Sequence, residues 1–225
     1  MENGELVEHV AELRKRLKRI VLSLTLVLPL ALYFSPTLIE KFWGELVGEK
    51  MYVYSPTEWI LLCLVLSLVV AMIIVYPYAM LELYLFAKPG LYDSERRFLK
   101  FAIIPSYLVF LAGSYVSYKF LVPYLYSFSF GEHFYSVEKT TINAIKLSFA
   151  FGILLQIPLV VILLDSFRIV SYQTLKNLRL PIYLVLIAFL LNSPTDIGGL
   201  TQLAIILSFF IMFELSLLLL RFSKR

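Results

Sequence analysis

Six apolar runs, separated by short polar loops, account for most of this 225-residue chain. They lie at 17–34, 59–81, 101–118, 142–164, 180–191 and 197–220. Hydrophobic residues make up 60% of the sequence, and the mean hydropathy is +0.83. A water-soluble fold of this length could not hide so much apolar surface, because small domains keep a large ratio of surface to volume. Each of the first four runs is long enough to cross roughly 30 Å of hydrocarbon at about 1.5 Å per helical residue. The expected fold class is an all-α membrane protein of six transmembrane helices. With so little left over for a soluble part, residues 1–225 read as a single polytopic membrane domain.

Basic residues set the orientation. With the N-terminus inside, the inner segments hold Arg14, Lys15, Arg16, Lys18, Arg19, Lys88, Arg96, Arg97, Lys100, Arg168, Lys176, Arg179, Arg221, Lys224 and Arg225. The outer segments hold only Lys41, Lys50, Lys119, Lys139 and Lys146. This asymmetry predicts that both termini are cytoplasmic. The run of basic residues before the first apolar stretch resembles a signal peptide. It lacks a small-residue cleavage site, so the stretch reads as a retained span. Cys63 is the only cysteine, so no intrachain disulfide is expected.

Several spans carry finer expectations. The first should stop at Ser35-Pro36. Beyond it, Leu38, Ile39, Phe42, Trp43 and Leu46 recur at helical spacing, which predicts a separate short helix at the outer interface with Trp43 as aromatic anchor. The twelve-residue fifth run covers only about 18 Å. With the sixth it reads as a short hairpin turned at Asn192-Ser193-Pro194-Thr195-Asp196. Pro77, Pro105, Pro123, Pro158 and Pro181 should bend their helices, and a bundle of bent helices readily forms a concave face.

Few residues could carry chemistry. His9 and His133 both lie outside the spans, and no metal-ligand spacing, phosphate loop or dinucleotide fingerprint occurs. The chain therefore does not read as an enzyme, and no cofactor, metal or nucleic acid is expected. Four polar positions stand out. Glu12 sits one helical turn before Arg16, a spacing at which an exposed i,i+4 pair would contribute only a few tenths of a kcal/mol. Glu95 follows Pro89-Gly90 and falls in the first turn of the third helix, where a carboxylate is favourable in any case. Gln156, beside Pro158, and Glu214 lie within spans. Intramembrane polar groups are costly and point to function, unless they simply bond a backbone carbonyl.

Two segments carry a resemblance. His9-Val10-Ala11-Glu12-Leu13-Arg14-Lys15-Arg16-Leu17 is similar to the H-L-x-E-L-R-x-R-L signature of the TatC family, the multi-spanning receptor subunit of the twin-arginine protein translocase. Pro89-Gly90-Leu91-Tyr92-Asp93-Ser94-Glu95-Arg96-Arg97 is similar to its P-x-L-Y-x-x-E-R-R signature. Both occur in order at the inner edges of the first and third spans. Ser55-Pro56, Pro77, Phe151-Gly152, Pro194 and Asp196 also resemble family positions.

The resemblance implies recognition of the paired-arginine signal peptides of folded cargo. Glu12 and Glu95 would form a cytoplasmic recognition patch, beside Arg14 and Phe86. It further implies assembly with single-span TatA/TatB-type subunits, self-association, and export driven by the proton-motive force across the inner membrane of a prokaryote. Gln156, where many relatives have Glu, and Glu214 would line a polar groove for partners and translocation. A small secondary transporter is the first alternative. It predicts inverted repeats and broken helices, and the sequence displays neither. A structural subunit of a membrane complex is the second.

Overall fold

The computed structural model describes residues 2–48, 51–127, 136–191 and 200–223. It is all-helical over these residues: α1 (Glu2–Leu46), α2 (Pro56–Ala87), α3 (Asp93–Val116), α4 (Val122–Ser127), α5 (Val137–Leu154), α6 (Ile157–Ser166), α7 (Tyr172–Asn177), α8 (Arg179–Leu191) and α9 (Leu200–Ser223). A single 3-10 turn, Lys88–Gly90, follows α2, and a π-helical turn, Ser117–Leu121, joins α3 to α4. Among the described residues, five stretches are long and apolar enough to cross a membrane: Val7–Leu46, Pro56–Gly90, Glu95–Ser127, Val137–Ser166 and Gln202–Phe222. Arg179–Ala188 is apolar but short, as the twelve-residue fifth run implied. The turn expected at 192–196 lies outside the described residues.

The helices group into two compact units, Met1–Tyr107 and Leu108–Arg225, with the boundary inside α3. In the first unit α1 packs against α2. Ala31, Ser35, Ile39, Trp43 and Leu46 are buried on α1 at three- to four-residue spacing, and Leu62, Leu66, Ala71, Val75 and Glu82 are buried on α2. Ser55 caps α2, with its hydroxyl accepting from Glu58 N at 3.2 Å and Pro56 at the first helical position. Tyr76 reaches α3, with its hydroxyl 2.8 Å from Ser106 Oγ.

Two expectations for this unit fail together. The first helix does not stop at Ser35-Pro36, and no separate interfacial helix follows it: α1 continues through both prolines to Leu46. Pro36 has no N–H to give the Leu32 carbonyl, and Ser35 Oγ donates to that carbonyl instead, at 2.9 Å. The helix is thus spared an orphaned acceptor. Trp43 is consequently no headgroup anchor. It is 5% exposed and belongs to the buried stripe of α1.

In the second unit α9 packs against α5, α6, α7 and α8. Val161, Leu175, Phe213, Leu217 and Leu220 form a buried cluster there. The expected fourth span is present, but its helix is interrupted. Helix α5 ends at Leu154, Leu155 and Gln156 form a turn, and α6 starts at Ile157 with Pro158 in its first turn. Gln156 N bonds back only three residues, to Ile153 O at 2.9 Å. Pro158 cannot donate to Leu154 O, so the ladder breaks at the proline that was expected to bend this helix.

Where α3 crosses α5, the backbones meet at two glycines. A Cβ on Gly152 would lie 2.8 Å from the Phe110 ring and would also meet Ser114 Oγ. A Cβ on Gly113 would lie 3.2 Å from Gly152 Cα. Close crossings of this kind, made by small residues, are how helices associate in lipid, where apolar burial gives little preference for one neighbour over another.

Candidate functional site

The first turns of α1 carry the apolar stripe Val10, Leu13, Leu17 and, beside it, Glu12 and Arg16 four residues apart. These two side chains do pair. Arg16 Nε donates to Glu12 Oε1 at 3.0 Å, and Nη2 donates to the same oxygen. The pair is not the isolated surface bridge that spacing alone allowed. Arg16 Nη1 also donates to Glu82 Oε2 at 3.0 Å, linking α1 to the end of α2. Glu82 Oε1 accepts from Arg19 Nη1 at 3.3 Å and from Tyr78 Oη at 2.9 Å. Two carboxylates and two guanidiniums thus form one chain of bonds across the α1–α2 contact. Among the described residues, Glu12 Oε2 has no partner.

Burial separates the two acids. The Glu82 side chain is 6% exposed, whereas that of Glu12 is 37% exposed. Ala11, Glu12, Lys15, Arg16 and Arg19 line a recess of about 420 Å³. Glu12 is its only carboxylate. Arg14 is exposed nearby on α1. Phe86 follows Glu82 by one turn on α2, a spacing that places the two on one helical face, and is half-buried.

Glu95 is engaged locally. Lys88–Gly90 turns the chain, and Arg96 Nε donates to Lys88 O at 2.8 Å, holding that turn against the start of α3. Glu95 Oε2 accepts from Tyr92 N at 2.9 Å. This is the carboxylate half of a capping box, with Tyr92 rather than Asp93 or Ser94 preceding the first helical residue. Its other oxygen has no partner among the described residues.

The two candidates in the second unit differ from each other. Gln156 is half-buried at the α5–α6 break, where a side chain can leave the regular helical face. Glu214 has two donors within the chain: Tyr183 Oη donates at 2.8 Å, and Arg179 Nη2 lies 3.3 Å from Oε2. Its side chain is 41% exposed. Among the described residues no cluster of three or more His, Cys, Asp and Glu could hold a metal.

Glu82 is the residue that sequence reasoning missed. The second apolar run ends at Leu81, so the next residue read as the beginning of a loop. The available signal was an acid one turn after Tyr78, ahead of the basic residues Lys88, Arg96 and Arg97, on a helix whose apolar period continues to Phe86.

A family model for the Sec-independent protein translocase protein (TatC) matches residues 8–207. A Sec-independent protein translocase protein TatC of Methanocella arvoryzae is 32% identical over 226 residues, covering 96% of this chain and 93% of the relative. One of Rickettsia prowazekii is 30% identical, covering 96% and 92%. Among solved structures, a crystal structure of the twin arginine translocase receptor TatC superposes with a TM-score of 0.82. It is 23% identical and covers 96% of this chain and all of that one. At that identity the superposition establishes the fold.

Proposed function

Because the chain belongs to the TatC family of Sec-independent protein translocase proteins, we propose that it recognises the paired-arginine signal peptides of folded cargo at the cytoplasmic face. Membership by itself makes it a membrane component of a protein translocase and not an enzyme. In this reading both termini are cytoplasmic, in keeping with the basic bias of the inner segments, and the whole chain works as one polytopic domain. Single-span TatA/TatB-type subunits join it for export driven by the proton-motive force across a prokaryotic inner membrane.

One observation carries the proposal. Glu12 stands at a recess with one oxygen held by Arg16 and the other open. A guanidinium offers planar, charge-assisted donors to such an oxygen, which the point charge of lysine does not reproduce. Glu95 supplies a second open carboxylate oxygen, and Arg14 and Phe86 flank the two motifs. The test is a pull-down with a twin-arginine signal peptide and its lysine-pair variant. Capture of the arginine form alone is expected, and equal capture of both would refute the reading.

We also place Gln156 and Glu214 on a polar face for a partner's transmembrane helix. Interhelical bonds of this type contribute about 0.6–2 kcal/mol. Gln156→Leu is therefore expected to reduce co-purification of a single-span subunit and leave signal-peptide capture intact. Glu214→Gln keeps a bond to Tyr183 and loses the ion pair with Arg179; reduced transport is expected. Full transport by this variant would remove any role for the charge.

A further inference from the structure

The recess around Glu12 poses an electrostatic problem for a cationic ligand. Lys15, Arg16 and Arg19 line it with that one carboxylate. An incoming guanidinium would meet three positive side chains, and Glu12 would already be neutralised by Arg16. Like charges in a partly desolvated recess repel strongly. The arrangement can accept a cation only where the two arginines are balanced from elsewhere.

Glu82 supplies that balance. It is buried at the back of the same cluster and uses both oxygens, Oε2 on Arg16 and Oε1 on Arg19. Tyr78 completes its bonding, so it has little capacity to bind a ligand itself. Arg16 is stretched between the two acids: Nη1 goes to Glu82, while Nε and Nη2 converge on Oε1 of Glu12. Without Glu82, Nη1 would lose its one partner among the described residues and Arg16 would be free to reorient. Its guanidinium could then face Glu12 as a parallel fork and cover both oxygens, the preferred geometry for an arginine–carboxylate pair.

We infer that Glu82 is a positioning residue for signal-peptide recognition: it holds Arg16 and Arg19 back so that Glu12 Oε2 stays open to the ligand's arginine, with Arg16 as the built-in competitor. This rests on the reading of Glu12 as a recognition carboxylate.

The experiment measures affinity of the full-length, detergent-solubilised protein for a twin-arginine signal peptide, with helicity and monodispersity checked for every variant. Glu12→Ala tests the underlying reading. Glu82→Gln is expected to weaken binding about tenfold, the order of one charge-assisted bond. Arg16→Gln leaves Glu82 bonded to Arg19 and Tyr78 and removes the competitor, so it is expected to bind about threefold more tightly, the scale of a partly exposed ion pair. The double variant Glu82→Gln/Arg16→Gln should recover most of the affinity lost in Glu82→Gln. A merely structural Glu82 would give the opposite pattern, because removing Arg16 would add to the damage. Loss of binding in Glu12→Ala with full binding in Glu82→Gln overturns this inference alone. Full binding in Glu12→Ala overturns it together with the recognition reading. If Glu82→Gln does not fold, weaker binding by a folded Arg16→Gln still overturns the inference.

Discussion

Replacing Glu12 or Glu95 by Lys is expected to lower cross-linking to a twin-arginine signal peptide by at least about tenfold, since each change removes a charge-assisted acceptor and adds a repulsive cation. The variants are expected to insert and fold. Glu95 lies in the first turn of α3, where its loss removes half of a capping box, worth about 1 kcal/mol. Glu12 is on the first helix with its side chain partly in solvent. Neither position is in a packed core. A double Ala variant that cross-links normally would show that the two acids serve only their local pairings with Arg16 and Tyr92.

Gly152→Leu is expected to lower thermal stability in detergent by about 1–3 kcal/mol or more, the usual cost of overpacking. Even the first carbon of a side chain there overlaps Phe110 and Ser114. Phe110 has little room to yield: it is 2% exposed and packs edge-to-face on Phe149, with ring centroids 5.4 Å apart. Gly44→Ala is the control. A Cβ there has nothing within 4 Å, so this helical position should be unchanged or gain up to about 1 kcal/mol from helix propensity. Equal melting of Gly152→Leu and the parent would refute the close crossing of α3 and α5.

Both predictions join something readable from sequence to something that is not. The two motifs by themselves place Glu12 and Glu95 in the N-terminal turns of their helices. That Glu12 keeps one oxygen open depends on Glu82, which is seventy residues away and belongs to no motif. Phe151-Gly152 could be singled out by resemblance, but a glycine's contacts follow from the partner helix and leave no trace in local pattern.

The sequence by itself determined the membrane class, the positions of the apolar runs, the shortness of the fifth and the family. Each depends on a local property: a helix either has or lacks enough consecutive apolar residues for hydrocarbon, and a motif is a fixed spacing along one chain. Tertiary structure decided what happens where local rules compete. Proline 36 should end a helix, yet α1 runs on, because Ser35 caps the freed carbonyl and the following turns bury Ile39 and Trp43. Proline 158 sits in an equally apolar run and does break it. The same residue type gives opposite outcomes because its cost is one lost backbone bond, which at Pro36 is offset by the local Ser35 bond and by burial of the following turns, and that burial depends on the partner helix.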